Sequence, residues 1–583
     1  MAEPWWQSAV VYQIYPRSFA DSNGDGIGDL RGVLDHLDYL QHLGVDVVWL
    51  SPIYASPQQD NGYDISDYRR VDPIFGSEDD LDDLIAGLHG RGMRLVMDLV
   101  VNHTSSEHEW FQRSRSSRDD PLRDWYLWRP PRPGRVGGTP GAEPNDWTSA
   151  FSGPAWTWDE ATGEYYLHLF SSGQPDLNWD NPEVRGAVHE MMRWWLRRGI
   201  DGFRMDVINF ISKDPLALTT DGTPFSGDGP RLHDYLQELR REVFDAVDGA
   251  WFTVGEMPGA TLTQAQLATA PERRELDMIF QFEHVQLDHN GSKWQPHPVR
   301  WADLTRSLAA WQDGLAERGW NSLYFENHDQ PRSVSRWASD GELRERAAKT
   351  LATILHLQRG TPFIYQGQEL GMTNTALASR DDLRDIEAVR HYDELVAAGT
   401  PAEEAMSLIR PMCRDHARTP MQWTADDGAG FCIPGVVPWL GINPNHRELN
   451  AADQVSRPDS VFGHYRRLIQ LRHEHAVVRS GAFHLLEADH EQLFCFTRTL
   501  GEECWLVMAN VSDRPAELTA GVRDLVREGF EPILGTEGPA AGTPTVLQPW
   551  ESLVVALGRR VTLGDGAIGS AGGHLGSLVG ERS

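Results

Sequence analysis

Cysteine is scarce in this chain: Cys413, Cys432, Cys495 and Cys504 are the whole complement in 583 residues. Four scattered thiols exclude a disulfide framework and a cysteine-based zinc site, and they point to a reducing, cytoplasmic compartment. Basic charge is also in deficit. Lys and Arg number 53 against 85 Asp and Glu, a formal net charge of −32, which leaves no electrostatic footprint for nucleic acid or an anionic membrane. No apolar run approaches the roughly 18 residues of a membrane span, and the first residues lack the basic and apolar regions of a signal peptide. Wholesale disorder is excluded by 40% apolar and 24% charged residues. The length leaves room for up to roughly four domains. Tryptophan, by contrast, is plentiful, with 22 residues. Either it packs the core, which composition favours, or it builds a site that stacks flat, hydroxylated rings.

Short apolar runs alternate with helical patterns. Strands are expected at residues 10–16, 45–52, 94–101, 202–208, 251–257, 278–284, 321–329 and 361–369. Helices are expected over residues 30–43, from Ser77 with Asp80 as a capping box, and from Asn181-Pro182 as N-cap and first turn. Continuous apolar strands with helical crossovers indicate a buried parallel sheet. Eight such units predict an α/β fold of the closed (β/α)₈, TIM-barrel kind, with an open doubly wound sheet as the alternative. The barrel is expected in two parts, residues 1–103 and 173–480. An aromatic-rich subdomain is expected at 104–172, where Trp147, Trp156, Trp158, Tyr165 and Tyr166 argue against a disordered loop. A second insertion is placed at about 370–440. Period-two runs then predict an antiparallel β domain over 481–560, and a Gly-rich tail follows at 561–583.

In such a barrel the chemistry sits at the C-terminal strand ends. There this sequence places Asn102-His103 after the third strand, Arg204 and Asp206 on the fourth, Glu256 on the fifth and His328-Asp329 on the seventh. Arg204 and Asp206 are two apart and point the same way; the guanidinium should keep Asp206 ionised as a nucleophile. Partial burial near another carboxylate should raise Glu256 into the range of a general acid. Two such carboxyls suit glycoside cleavage with retention, and Asp329 could stabilise an oxocarbenium-like transition state.

The segments DLVVNH (98–103), GFRMDVI (202–208), VGEMPG (254–259) and ENHDQPR (326–332) together resemble the α-amylase superfamily, glycoside hydrolase family 13. YQIYPRSFADSNGDGIGDL, QQDNGYDISDY, QPDLNWDNPEVR, YQGQELGM and CRDHARTPMQW extend the resemblance over about residues 5–560, toward the oligo-1,6-glucosidase and α-glucosidase group. It implies a hydrolase of short α-glucosides in carbohydrate metabolism, with Asp206 as nucleophile, Glu256 as acid/base and Asp329 as the third carboxylate. Arg204, His103 and His328 would hold the sugar before the cleaved bond, and Tyr63 and Phe170 would wall it. Asp60 and Arg414 would close the pocket around a single non-reducing glucose, as exo action requires. Val207 goes in that group with α-1,6 preference. Asp21, Asn23, Asp25, Asp29 and the Ile27 carbonyl alternate as in the first half of a calcium loop, although Gly32 stands where the closing Glu is expected. A similar loop in relatives implies a structural Ca²⁺ or Mg²⁺; the alternative is an Asx-rich turn without metal. No organic cofactor is implied.

The alternatives left open are a trehalose-6-phosphate hydrolase, with Lys293 and Arg336 as phosphate-binding candidates, and an α-1,4-preferring or transglucosylating α-glucosidase. Sucrose isomerases carry an RLDRD loop where this chain has LDHNGSKWQPH (287–297). Amylase-like transporter heavy chains carry a membrane span and lack the acidic triad, the reverse of this chain. A small saccharide is the expected partner, and the oligomeric state stays open.

Overall fold

The computed structural model describes residues 3–213, 227–540 and 542–558. Its centre is an eight-stranded parallel sheet. In chain order the strands are β1 (Val11–Ile14), β2 (Val47–Leu50), β3 (Arg94–Val100), β4 (Gly202–Asp206), β5 (Phe252–Glu256), β6 (Met278–Phe280), β7 (Ser322–Leu323) and β8 (Thr361–Tyr365). Neighbours run β6-β5-β4-β3-β2-β1-β8-β7, and a parallel bridge from Ile279 to Asn321 joins the two ends. The sheet is therefore a closed (β/α)₈ barrel rather than an open doubly wound sheet. Every residue of β1, β2, β4, β5, β6 and β8 is buried, as expected for strands packed on both faces.

The helix starts behave as their sequences suggest. Ser77 and Asp80 form a reciprocal capping box, and Asn181 Oδ1 accepts the Glu183 amide at 2.9 Å ahead of a helix that begins with Pro182. Several elements differ from expectation; the sixth and eighth strands stop at Phe280 and Tyr365, short of 284 and 369. Residues 30–43 form two helices, Leu30–Asp35 and Leu37–Leu43, broken at His36. His36 Nδ1 bonds the Gly32 carbonyl at 2.8 Å, the acceptor that its own amide would use in an unbroken helix, while its ring packs 3.9 Å from that of Trp423. The seventh strand stops at Leu323, so His328 and Asp329 lie on the loop beyond it. An Asx turn, in which Asn327 Oδ1 accepts the Asp329 amide at 2.8 Å, curls the chain there.

Between β3 and β4 the chain builds a small antiparallel sheet from Trp128–Arg129, Trp156–Asp159 and Glu164–Leu167, with Trp147, Trp156 and Tyr165 in its own apolar cluster. After β8, helices Ile386–Ala397 and Ala402–Ile409 form the second insertion. The C-terminal sheet has five antiparallel strands, in the order Ala482–Leu485, Leu493–Leu500, Glu503–Asn510, Ser552–Leu557 and Phe530–Gly535. The last escaped the sequence reading. It is a half-exposed edge strand with Pro532 at a register shift, and proline is tolerated at such an edge. The tail at 561–583 lies outside the described residues. Among the described residues no helix is long and apolar enough to cross a membrane.

Candidate active site

Strands β3, β4 and β5 supply the floor. Their register pairs Asp98 with Arg204, Val100 with Asp206 and Val254 with Arg204. Because side chains alternate along a strand, Asp98 and Arg204 share one inward layer. Asp206 and Glu256 occupy the next layer toward the mouth. Arg204 is 1% exposed and joins three carboxylates. Its Nη1 lies 2.6 Å from Asp98 Oδ1 and 2.7 Å from Asp206 Oδ1, and its Nη2 lies 2.6 Å from Glu256 Oε2. Asp98 also accepts from Trp49 Nε1 at 3.0 Å and Tyr63 Oη at 3.2 Å.

One guanidinium cannot compensate three buried carboxylates, so the cluster retains a proton. Burial pushes Glu256 up to about 8; Arg204 opposes this, and Asp206 and Asp329 reinforce it. Burial likewise pushes Asp206 up to about 7, with Arg204 pulling down and Asp98 pushing up. The order matches the expected division of labour, with the proton held more tightly on Glu256. The guanidinium lowers Asp206 as expected, and burial opposes it more strongly.

Asp329 is in the opposite condition. Burial would raise it, but neighbouring positive charge holds it well below the usual carboxylate range. Arg414 Nη1 lies 3.1 Å and Arg418 Nη2 2.7 Å from its Oδ1. His328 Nε2 lies 3.3 Å from the other oxygen, but burial pushes that imidazole down to about 3, so at neutral pH the two arginines carry the effect. Gln13 on β1 meets His328 Nδ1 at 2.9 Å, and the Tyr63 ring stacks on His328 at 5.2 Å.

A cavity of about 330 Å³ opens above this floor, within the range of small-ligand sites. Asp206, Glu256, Asp329, Asp60, Tyr63, His103, Phe170, Val207 and Arg414 all line it; Arg204 and His328 stand behind the wall. No tryptophan lines it, and Trp49, Trp179 and Trp195 are among the largest fully buried side chains. Core packing thus accounts for those indoles, as composition favoured. His103 Nε2 meets the Tyr63 carbonyl at 3.1 Å, and burial pushes His103 down to about 4. Phe170 packs 5.2 Å from the His103 ring.

Asp60 and Arg414 are side by side but 3.9 Å apart, beyond a direct hydrogen bond. Arg414 is held instead by Asp385, at 2.9 Å from Nε, and Asp60 Oδ2 accepts from Gln174 at 2.9 Å. Val207 has φ 33° and ψ 44°, a left-handed conformation that branched residues rarely adopt. The turn aims its amide at Glu256 Oε2, 3.1 Å away.

The sequence reading assigned no role to Asp98, Gln174, Asp385 or Arg418. Asp98 carried a signal, a charge inside the apolar run RLVMDLVV; Asp385 reads from sequence only as the N-cap of helix Ile386–Ala397, and its bond to Arg414 depends on how that helix docks. The two phosphate-binding candidates are already engaged. Arg336 makes paired bonds to Asp288 at 2.7 and 2.6 Å, and Lys293 bonds Glu387 at 2.5 Å.

At the loop expected to hold a cation, the side chains bind their own backbone. Asp21 accepts the amides of Gly24 at 2.7 Å and Gly26 at 2.9 Å. Asn23 accepts from Asp25, and Asp25 from Ile27. Asp29 caps the following helix through the Gly32 amide at 2.7 Å. Among the described residues no three His, Cys, Asp or Glu side chains converge as a metal set. These bonds make the loop a run of Asx turns that closes on the following helix.

The family described as alpha amylase, catalytic domain, matches residues 13–481. The chain belongs to this family of glycoside hydrolases. It is 50% identical over 570 residues to an oligo-1,6-glucosidase of Halalkalibacterium halodurans, covering 95% of this chain and 99% of that one. It is 53% identical over 527 residues to an oligo-1,6-glucosidase of Parageobacillus thermoglucosidasius, covering 88% and 92%. Among solved structures, trehalose-6-phosphate hydrolase of Bacillus licheniformis superposes with a TM-score of 0.89 at 41% identity, covering 95% of this chain and all of the other.

Proposed function

We propose that the protein is an exo-acting, retaining α-glucosidase that releases glucose from the non-reducing end of short α-glucosides and favours α-1,6 links. The observation that carries the proposal is the Asp98–Arg204–Asp206–Glu256 cluster at the floor of a small cavity, where burial raises Glu256 and Asp206. Asp206 attacks the anomeric carbon while Glu256 passes its proton to the departing glycosidic oxygen, leaving a glucosyl ester on Asp206. Glu256, now ionised, takes a proton from water, which attacks the same carbon and frees α-glucose and Asp206. Asp329, kept anionic by Arg414 and Arg418, faces the positive charge that develops on the ring. The names of the relatives above support the α-1,6 preference, and so does Val207 on the cavity wall. Engagement of Lys293 and Arg336 by carboxylates speaks against a phosphorylated disaccharide.

The test is kcat/KM on isomaltose, maltose, sucrose, trehalose and trehalose-6-phosphate with one preparation, with the first product followed by NMR. Isomaltose should lead and α-glucose should appear first. Trehalose-6-phosphate in the lead, or maltose as the main early product from dextrin, would overturn the proposal. A structural Ca²⁺ or Mg²⁺ at Asp21–Asp29 is a separate proposal, supported by the oxygen spacing of that loop, and no step of the chemistry passes through it. A cytoplasmic location is likewise a proposal, resting on four cysteines that are all free and buried.

A further inference from the structure

We infer that the protein has a second saccharide site, at the end of the barrel opposite Glu256, that takes a neutral glucoside without cleaving it. A cavity of about 510 Å³ opens there, lined by Trp5, Trp6, Trp251 and Trp320 together with Arg240 and Asp277. Trp6 precedes β1, Trp251 precedes β5, Asp277 precedes β6 and Trp320 precedes β7. The cavity therefore lies at the N-terminal ends of the strands, whereas the catalytic cavity lies beyond their C-terminal ends.

Its polar groups have unused capacity. Asp277 Oδ2 accepts the Thr253 amide and hydroxyl, both at 2.9 Å, whereas Oδ1 has only Arg240, 4.0 Å away. The guanidinium atom nearest that oxygen is Arg240 Nη1, while Nε, closed off from the cavity, stands 3.7 Å from Asp245. Both separations are too long for a direct hydrogen bond. A hydroxyl between them can donate to the carboxylate and accept from the guanidinium. The backbone brings this about. Helix Leu232–Leu239 continues as a five-residue π-helix, Arg240–Phe244, a rare form that recurs at functional sites, and both ends of that segment face the cavity. The indole N–H groups of Trp5 and Trp251 are already bonded to carbonyls of Ala250, Phe244 and Val247. Those rings therefore offer the cavity apolar surface, which suits the C–H face of a pyranose. Asp245, Glu275 and Asp277 outnumber Arg240 and Arg274 on the lining, so no surplus positive charge favours an anionic ligand.

The inference borrows only its substrate class from the proposed function. Full-length Asp206→Asn enzyme titrated calorimetrically with isomaltotriose should show two sites per chain. Adding Arg240→Ala should leave one, because losing a charged hydrogen bond weakens the other at least about tenfold. Arg240→Ala alone should leave hydrolysis of an aryl α-glucoside unchanged. Trp251→Phe, which keeps a ring in place, should weaken the same site by less. A single site untouched by Arg240→Ala would overturn the inference. If the catalytic assignment were the one at fault, the single site would instead be the one that Arg240→Ala removes.

Discussion

Asp98→Asn tests the charge count at the floor of the site, because it keeps the shape of the side chain and removes one negative charge. Asp98 and Asp206 bond the same nitrogen of Arg204 at 2.6 and 2.7 Å, which holds the two oxygens within about 5 Å of each other. Two unit charges at that range interact by about 3 kcal/mol at an effective permittivity of about 20, equivalent to about two pK units. The sign follows from the repulsion. The charge on Asp98 raises Asp206, so its loss lets Asp206 ionise at lower pH. In the native enzyme kcat/KM on an aryl α-glucoside should climb as Asp206 loses its proton, near about 7, and fall as Glu256 loses its own, near about 8. In Asp98→Asn the acid limb should move down by about two units. The alkaline limb should move the same way by less, because Glu256 bonds the other nitrogen of Arg204. The rate at optimum should also fall, since the Arg204 contact and the bonds from Trp49 and Tyr63 weaken; this loss says nothing about charge. The limbs decide. If both stay in place while activity drops uniformly with pH, the shared-proton account of the site is wrong.

Asp206→Asn should lower kcat by several orders of magnitude, because an amide cannot form the glucosyl ester; stopped assays on isomaltose read this directly. Glu256→Gln should be severe on isomaltose but milder on aryl glucosides whose leaving groups need no proton, and equal losses on both would refute the acid assignment. Val207→Ala or Val207→Thr should raise kcat/KM on maltose relative to isomaltose by about 10-fold or more, the usual effect of one or two methyl groups in a pocket; an unchanged ratio would move specificity to the loops around Gln330 and Arg414. If the loop at Asp21–Asp29 holds a cation, added Ca²⁺ should raise the melting temperature and EDTA lower it, whereas melts identical under both conditions would leave only the Asx-rich turn.

The barrel was legible because its strands are buried on both faces, so their apolar runs stand out and the charges that end them stand out more. Asp206 and Glu256 interrupt such runs where the strands stop, and Arg204 two residues before Asp206. What the sequence hid depends on contacts between distant segments. The break at His36 needs Trp423, nearly the whole barrel away in sequence. Arg414 sits beside Asp60 as expected, but its anchor is Asp385, a helix N-cap whose docking the sequence does not reveal. The edge strand Phe530–Gly535 carries little apolar signal because only its last two residues are buried. Asp98 was visible as a charge in a strand, yet its role emerges only from the register that sets it opposite Arg204.

That register also explains why one residue, Val207, touches both Glu256 and the cavity wall. Strand β4 ends at Asp206, and the next residue must turn the chain so that its amide faces Glu256. Val207 makes the turn in the left-handed region, where a branched side chain costs of order 1–3 kcal/mol, and surroundings that leave it 6% exposed hold it there. A glycine would turn with less strain but would leave the cavity wall open at that point. The amide of Val207 stabilises the ionised form of Glu256, opposing the burial that raises it, while the side chain lines the cavity wall. The strain is thus tied to two properties of the site at once, the proton affinity of Glu256 and the form of the cavity wall. Both depend on a single backbone conformation immediately after Asp206.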